Sequence, residues 1–406
     1  MSTGRRLSIC YVAPGQDLMA TVGPSRNVVN LALALSEWAD VTVAFRRVAD
    51  SHLPQGLNVL EIQPVGDAKS EDDAATRGIG YGEFYSYLKD LRRFTDQKLR
   101  TYDVVLEKSW LLSGYVSSIC RKRGQLGVPV ENIVADPRHA AGSNFMKRMR
   151  LHVGRWVSGR ALRGAPLILA ETEFLKKEIV RYWRVEPKQV AVVDLGVDRK
   201  LFHPIEQSAA RASIDLPTDV TILMYVGVLD LTHNLEPLIR ALGKCRRAGL
   251  ELHVVGDGYR REEYAQLVEE YGAPVVFHGR VAHSQVPSFI AAADLCLAPY
   301  DPAAFASGEL GYSTMKIPEY LSVGRPVVSV PSGRIRTLIT EGETGFLFTN
   351  TEAEWTRFLG TLPARDRLLQ MGLAAGRTPL TSWQDTARGY LSLCEKQLAA
   401  GSTHRG

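Results

Sequence analysis

Short β-branched runs alternate with amphipathic helical patterns along this chain, stop, and then start again. Residues 7–13, 41–45, 57–62, 103–106, 132–135, 166–170 and 190–194 read as strands, with helices at 24–37, 81–100 and 172–182. A polar stretch running on from Gly196 to Thr218 reads as a linker. Beyond it, strands at 220–226, 250–255, 274–278 and 294–298 alternate with helices at 235–245, 260–271 and 286–292. Parallel strands need crossover connections, and helices at this spacing supply them. The expected class is α/β, with two parallel sheets, each covered by helices on both faces. A length of 406 residues fits two such domains, and 45% apolar content can fill two cores. The acidic, glycine-rich run 67–82 breaks the rhythm and reads as a loop.

Composition removes several classes. No run is long and apolar enough to span a bilayer, and the first residues lead into a strand rather than a signal peptide, so the expected place is the cytoplasm. Cys10, Cys120, Cys245, Cys296 and Cys394 are scattered, odd in number and without metal spacing. They read as reduced core thiols, and no metal site is expected. A net charge of +5 is too mild to imply a nucleic-acid partner.

Ligands of parallel sheets bind beyond the carboxyl ends of the strands. In the second half, successive strands end in glycine-bearing turns: Gly227 in Tyr225-Val-Gly-Val, Gly256 in Val254-Val-Gly-Asp-Gly, and Gly279 in Phe277-His-Gly-Arg-Val. One such turn is ordinary chemistry; a series favours a nucleotide or phosphorylated ligand. They lead toward Ser313-Thr-Met-Lys-Ile-Pro-Glu-Tyr-Leu-Ser-Val-Gly324. Pro318 belongs in the first turn of a helix that Gly324 ends. The amides of residues 314–317 would then lack helical partners and favour an anion, with Glu319 beside them as an acceptor for sugar hydroxyls. In the first half, Gly15 and Gly23 precede a helix, where a tight turn and a phosphate-binding turn ask for the same residues.

The ordered set Gly256-Asp-Gly, Phe277-His-Gly-Arg-Val, Val286-Pro, Ala291-Ala-Ala-Asp, Lys316-Ile-Pro-Glu-Tyr-Leu-Ser-Val-Gly-Arg-Pro-Val-Val and Glu341-Gly-Glu-Thr-Gly-Phe-Leu resembles the donor domain of retaining glycosyltransferases of the GT-B fold, glycosyltransferase family 4 in particular. Gly196-Val-Asp with Phe202-His-Pro resembles that family's hinge, and Ser382-Trp383 its tail. The resemblance implies two Rossmann-like domains facing across a cleft. Residues 1–203 would form the acceptor side and 204–380 the donor domain, with a last helix over 381–399 crossing back. It also implies a UDP- or GDP-linked sugar as co-substrate, with neither cofactor nor metal. Carried over by position, Glu319 is the ribose-binding acid. Ser313, Thr314, Met315 and Lys316 would face the diphosphate and sugar. Gly23 would lie under the diphosphate from the opposite domain, Gly227 and Gly256 would line the donor strand ends, and Arg280 and Val281 would border the base.

Three places depart from that family's pattern. The Arg and Lys that usually hold the diphosphate are Val228 and His233 here, and the first of two usual glutamates is Gly311, with Glu309 just before it. Lys316 is therefore expected to supply the cation, His233 to assist, and Arg280 to stand in reserve. On the acceptor side, Ala135-Asp-Pro-Arg-His-Ala-Ala-Gly offers Asp136 and His139, with Arg138, as catalytic candidates, although an Asp-capped turn would use the same residues. Residues 144–162 hold Lys147, Arg148, Arg150, Arg155 and Arg160 with no acid, while Phe145, Met149, Val153 and Trp156 recur at helical spacing. That pattern suits an anionic membrane surface, placing the protein at the inner face of the membrane, or a solvated helix with a core-facing stripe.

The resulting expectation is a retaining transferase that moves a hexose from a nucleoside-diphosphate sugar to a hydroxyl of a glycan, lipid-linked or small-molecule acceptor. A nucleotide-sugar epimerase on the same fold would need carboxylate and histidine pairs facing the sugar. A phosphorylase would need a cofactor lysine and a longer chain. Val228, His233 and Gly311 motivate a further alternative, a non-catalytic scaffold that binds the nucleotide-sugar.

Overall fold

A computed structural model describes residues 5–18, 23–48, 55–63, 81–132, 145–245, 247–305 and 307–403. The chain divides into two compact units, Met1–Leu195 with Trp383–Gly406, and Gly196–Ser382. In the first unit, β1 (Ser8–Ala13), β2 (Asp40–Phe45), β3 (Asn58–Glu61), β4 (Val104–Lys108), β5 (Leu126–Glu131), β6 (Ile168–Ala170) and β7 (Val190–Val192) form a sheet in the order β3-β2-β1-β4-β5-β6-β7. Neighbours are parallel, with Ile9 opposite Val41 on one side and Val104 on the other. The central strands read as apolar runs because helices cover both faces. These helices are α1 (Gly23–Leu35), α2 (Tyr81–Lys98), α3 (Tyr115–Arg121), α4 (Phe145–Arg163) and α5 (Glu173–Trp183). The final helix, Trp383–Thr403, buries Trp383, Tyr390 and Leu391 and packs along α1.

Two readings of the first unit need correction. The strand expected over 132–135 lies earlier: β5 ends at Glu131, and 133–135 fall outside the described residues. Gly127 and Pro129 disguise β5, because both normally punctuate strands. Gly127 is needed there, since a Cβ would lie 2.4 Å from the Ser117 carbonyl of α3, itself a helix not anticipated. Of the two readings left open for the apolar stripe of α4, the core-facing one does not hold for its described part. Val153 and Trp156 are 56% and 68% exposed, while Gly154, Ser158, Gly159, Ala161 and Leu162 are buried. Small residues let this helix approach its neighbours closely, with Gly154 against Leu111 and Gly159 against Trp183.

In the second unit, β8 (Thr221–Val226), β9 (Leu250–Val255), β10 (Val275–Gly279), β11 (Leu295–Ala298), β12 (Val327–Ser329) and β13 (Gly345–Leu347) form a parallel sheet ordered β10-β9-β8-β11-β12-β13. Its helices are α6 (Gln207–Ser213), α7 (Glu236–Lys244), α8 (Arg261–Tyr271), α9 (Val286–Ala292), α10 (Lys316–Ser322), α11 (Ile335–Leu338), α12 (Glu352–Gly360) and α13 (Arg365–Ala375). Alternation along β8 divides the core. Ile222 and Met224 join Phe289, Ile317 and Tyr320 on one face, whereas Leu223 and Tyr225 join Leu238, Leu252 and Trp355 on the other.

The stretch expected as a linker is instead a packed element. Within it, α6 carries Arg211, 1% exposed, across the back of the sheet. Arg211 donates to Asp294 Oδ2 at 2.8 Å and to the carbonyls of Ala292, Pro217, Thr218 and Val220. Asp294 also accepts the Ile222 amide at 2.7 Å and Arg365 Nε at 3.1 Å. A polar composition concealed this because the partners lie far away in sequence. Arg211→Ala would leave Asp294 buried with Arg365 as its remaining cation. Breaking a buried ion pair costs about 3–5 kcal/mol, with Arg365 holding the loss toward the lower figure. Urea unfolding should show a lower midpoint; an unchanged midpoint would make the network incidental.

Candidate functional site

The order of the second sheet reverses between β8 and β11. Their carboxyl ends therefore mark the topological switch point, where open parallel sheets hold ligands. The two segments leaving these strands are tied together. His233 and Tyr300 form an antiparallel bridge, the Asn234 amide donates to the Pro299 carbonyl at 3.0 Å, and the Asp301 amide donates to Thr232 O at 3.0 Å.

Helix α10 begins beside this junction. Its N-cap, Met315, makes no side-chain capping bond, and Pro318 falls inside its first turn, as the spacing predicts. The Tyr320 hydroxyl accepts the Val226 amide at 2.9 Å and donates to the Val226 carbonyl at 3.1 Å, fixing the helix across the end of β8. Lys316 then projects between aromatic rings. Its Nζ lies 4.6 Å from the Tyr225 ring centroid, 5.4 Å from that of Tyr300 and 3.4 Å from the Tyr225 hydroxyl. Burial pushes its pKa down to about 7, against the opposing pull of Asp230 and Glu319. Thr314 shares a hydrogen bond with the Tyr300 hydroxyl, which seats the preceding turn on the same rings.

His233 belongs to this cluster, with its ring 4.8 Å from that of Tyr300. Burial, reinforced by the charge of Lys316, pushes its pKa to about 4 although Asp230 pulls upward. The imidazole is thus neutral at pH 7, with Nδ1 2.9 Å from Asp230 Oδ1. Burial alone would raise the pKa of Asp230, but hydrogen bonds from His233 and Thr232 hold it well below the ordinary range. Asp230 was not anticipated; its place three residues before His233, in Leu-Asp-Leu-Thr-His, was the available signal.

Two of the expected glycines have backbone reasons. A Cβ on Gly227 would sit 2.6 Å from Lys316 Nζ, so a side chain there would push the ammonium out of its place. A Cβ on Gly256 would sit 2.0 Å from the Gly227 carbonyl, so the ends of β8 and β9 pack backbone on backbone. Both glycines also have positive φ. Arg280 stands at the end of β10, exposed, 3.7 Å from Asp257, and Val281 packs on the core beneath it. Glu309 is fully engaged: it accepts Arg336 through both oxygens, the Gly333 amide and the Ser332 hydroxyl. Arg336 leads in holding its pKa down to about 2. Glu319 lies in the first turn of α10 and, with Asp230, provides the carboxylates acting on Lys316.

In the first unit, the switch point lies between β1 and β4. Gly23 opens α1 there. The strand ends beyond it carry buried charge: Lys108 Nζ lies 3.3 Å from Glu171 Oε1, both 2% exposed. Burial, then the charge of Glu107, raises the pKa of neighbouring Glu131 to about 8. Asp136, Arg138 and His139 fall outside the described residues, as do the side chains of Lys147, Arg148 and Arg150. Among the described residues there is no cluster of three or more His, Cys, Asp or Glu placed to hold a metal. No helix among them is long and apolar enough to cross a membrane.

Residues 220–362 match the family model described as Glycosyl transferases group 1. A D-inositol 3-phosphate glycosyltransferase of a Nocardioides species is 28% identical over 335 residues, covering 76% of this chain and 70% of that protein. Its counterpart in Geodermatophilus obscurus is 26% identical over 401 residues, 92% of this chain and 85% of the relative. Among solved structures, sucrose-phosphate synthase from Thermosynechococcus elongatus superposes with a TM-score of 0.76 at 20% identity, covering 97% of this chain and all of that one (100%). HepE of Anabaena, solved with UDP and glucose, gives 0.71 at 17% identity over 96% and 99% of the two chains. The chain has the GT-B fold, resembles group 1 glycosyltransferases as its motifs implied, and these matches support glycosyltransferase activity. They do not favour an epimerase.

The burial of Lys316 has a measurable consequence. With a pKa of about 7 when folded against 10.5 when free, the folded chain binds fewer protons than the unfolded chain between those values. Its contribution therefore makes stability rise with pH across that window. Lys316→Met should be more stable than the parent below pH 7, and the advantage should shrink as pH climbs toward 10.5. Urea unfolding of both proteins at several pH values checks this; a pH-independent difference would mean the ammonium is not desolvated.

Proposed function

We propose that this GT-B glycosyltransferase moves a hexose from a nucleoside-diphosphate sugar to an acceptor hydroxyl and keeps the anomeric configuration. The observation that carries the reading is Lys316, held against Tyr225 and Tyr300 at the switch point, one helical turn from Glu319. A diphosphate placed on the turn 313–316 meets this ammonium, and its charge restores the protonated form that burial disfavours. Glu319 accepts the ribose hydroxyls. The leaving diphosphate gains charge as the glycosidic bond breaks, so Lys316 acts most strongly at the transition state. Protein cations suffice for that charge, and no metal is invoked. His233, neutral in the free protein, gains a proton only when the diphosphate raises its pKa. Asp136 and His139 are the proposed acceptor-side groups, for orienting the hydroxyl and handling its proton. UDP as the carrier is supported by HepE, solved with UDP and glucose. The acceptor is a glycan, a lipid-linked acceptor or a small molecule.

Glu319 and Lys316 should separate binding from turnover. Glu319→Ala removes a charge-assisted partner of the ribose, worth about 1.5–3 kcal/mol, and should raise the donor Kd with little extra loss in kcat. Lys316→Ala should lower kcat more than it raises Kd. Calorimetry with UDP-sugars and GDP-sugars, followed by steady-state kinetics, reads both. Unaltered donor binding by Glu319→Ala, in a folded protein, would remove that residue from the site.

The exposed face of α4 favours an anionic membrane surface as a further partner. Val153 and Trp156 stand out of the core beside exposed Arg155 and Arg160, and an apolar wedge flanked by cations is what an interfacial helix presents. The protein should sediment with anionic vesicles at low salt and release as salt rises, and Trp156→Ser should weaken the association. Equal recovery with neutral and anionic vesicles would rule this partner out.

A further inference from the structure

The loop after β12 brings two arginines beside the turn that leads into α10. Gly333, at φ +50, is pressed so closely on the preceding segment that a Cβ would lie 2.1 Å from the Leu310 carbonyl. The Leu310 amide donates to Ser332 Oγ at 2.8 Å, and the Gly333 amide donates to Glu309 at 2.7 Å. These contacts clamp residues 309–310 to 332–333. Arg336 closes the clamp on the outside with its bidentate pair to Glu309. Arg334 turns the other way. It is half-buried, and its Nη1 donates to Ser313 Oγ at 3.3 Å, at the start of the turn that carries Thr314 and Lys316.

The two arginines therefore do different work. Arg336 neutralises a loop carboxylate, so Glu309 brings little net negative charge to the turn. Arg334 adds a cation directly behind Ser313, and burial lowers its pKa only to about 10, so it keeps its charge at pH 7. Its planar fork can share Ser313 with a second, anionic acceptor in a way that a point charge cannot.

We infer that Arg334 is a donor-binding residue whose guanidinium holds an anionic oxygen at the sugar-phosphate end of the donor. This rests on the reading of the second unit as a nucleotide-sugar site. Two parts of a donor can supply that oxygen: the phosphate next to the sugar, or a carboxylate on an acidic sugar. The clamp explains how the loop holds Arg334 in place, since Glu309, Ser332 and Gly333 fix the backbone that leads into Arg334.

The test is calorimetric binding of uridine, UDP, UDP-glucose and UDP-glucuronate, with guanosine, GDP and GDP-mannose alongside, to the parent protein, Arg334→Ala, Arg334→Lys and Glu319→Ala. Losing one charge-assisted bidentate contact weakens binding about 10- to 100-fold. Arg334→Ala should lose that much for the nucleoside diphosphate while nucleoside binding stays as in the parent; this outcome assigns the phosphate. A loss confined to UDP-glucuronate assigns the carboxylate. Arg334→Lys should recover part of either loss and serves as the folded control if the alanine variant unfolds. Parent-like binding of every ligand by Arg334→Ala overturns the inference, as does an equal loss for uridine and UDP. In the parent, failure to bind any nucleoside diphosphate would overturn the donor-site reading and this inference with it. A normal parent with a defective Glu319→Ala and an unaffected Arg334→Ala would overturn this inference alone.

Discussion

One phenol hydroxyl fixes the geometry on which the second unit's site depends. Tyr320 satisfies both the amide and the carbonyl of Val226, so the end of β8 and the helix α10 cannot move independently. The helix is short and has no side-chain cap at Met315. Its orientation is therefore set by tertiary contacts rather than by its own stability. Ile317, Tyr320 and Leu321 are fully buried beneath it. Lys316, one turn before Tyr320 on the same flank of the helix, is thereby held over the strand ends. Cation–π contact with Tyr225 and Tyr300 compensates part of the lost hydration of its ammonium.

Backbone packing sets how close the ammonium can come. Gly227 gives Lys316 its space, and Gly256 lets the next strand end close on Gly227. Gly258 repeats the pattern, because a Cβ there would lie 2.2 Å from the Leu229 carbonyl. The glycines that suggest a ligand in the sequence are first a solution to a packing problem between neighbouring strand ends. The ligand reading is not displaced by this. A floor without side chains is also what brings a buried cation within reach of a substrate, so one constraint serves both.

Both sheets were legible from the sequence because parallel strands buried on two faces produce apolar runs of the right length, and helices between them show a 3.6-residue period. What was not legible depended on partners distant in the chain. Arg211 sits in a polar stretch, and its anchoring role appears only when Asp294 and the carbonyls around it are brought together. Strand β5 was misplaced because Gly127 accommodates α3, a contact invisible in a linear pattern. On α4, spacing identified an amphipathic helix but left open which way Val153 and Trp156 face, since its small residues make the buried contact. At the site, Lys316 and Glu319 were readable from a helix start and a shared turn. Arg334 was not, because it acquires its meaning from Ser313 on another segment, and Asp230 was passed over although His233, three residues on, was its signal.

The placement of charge around Lys316 also bears on why a transferase would use this residue where a more exposed, permanently charged cation could serve. A group with a pKa near 7 is only partly charged in the free protein, and Asp230 and Glu319 already oppose its field. A fixed cation also gains attraction as the diphosphate gains charge, but it carries its full field in the free protein as well. A desolvated ammonium responds to the charge placed beside it. On the proposed reading, the proton becomes firmly held as negative charge builds on the leaving oxygen, so the attraction grows along the reaction coordinate. His233 extends the same logic, since its low pKa follows from burial and from Lys316 itself. The departure from a pattern of exposed cations is then compatible with turnover: a smaller standing charge, confined by Tyr225, Tyr300 and the glycine floor, is available when the bond breaks.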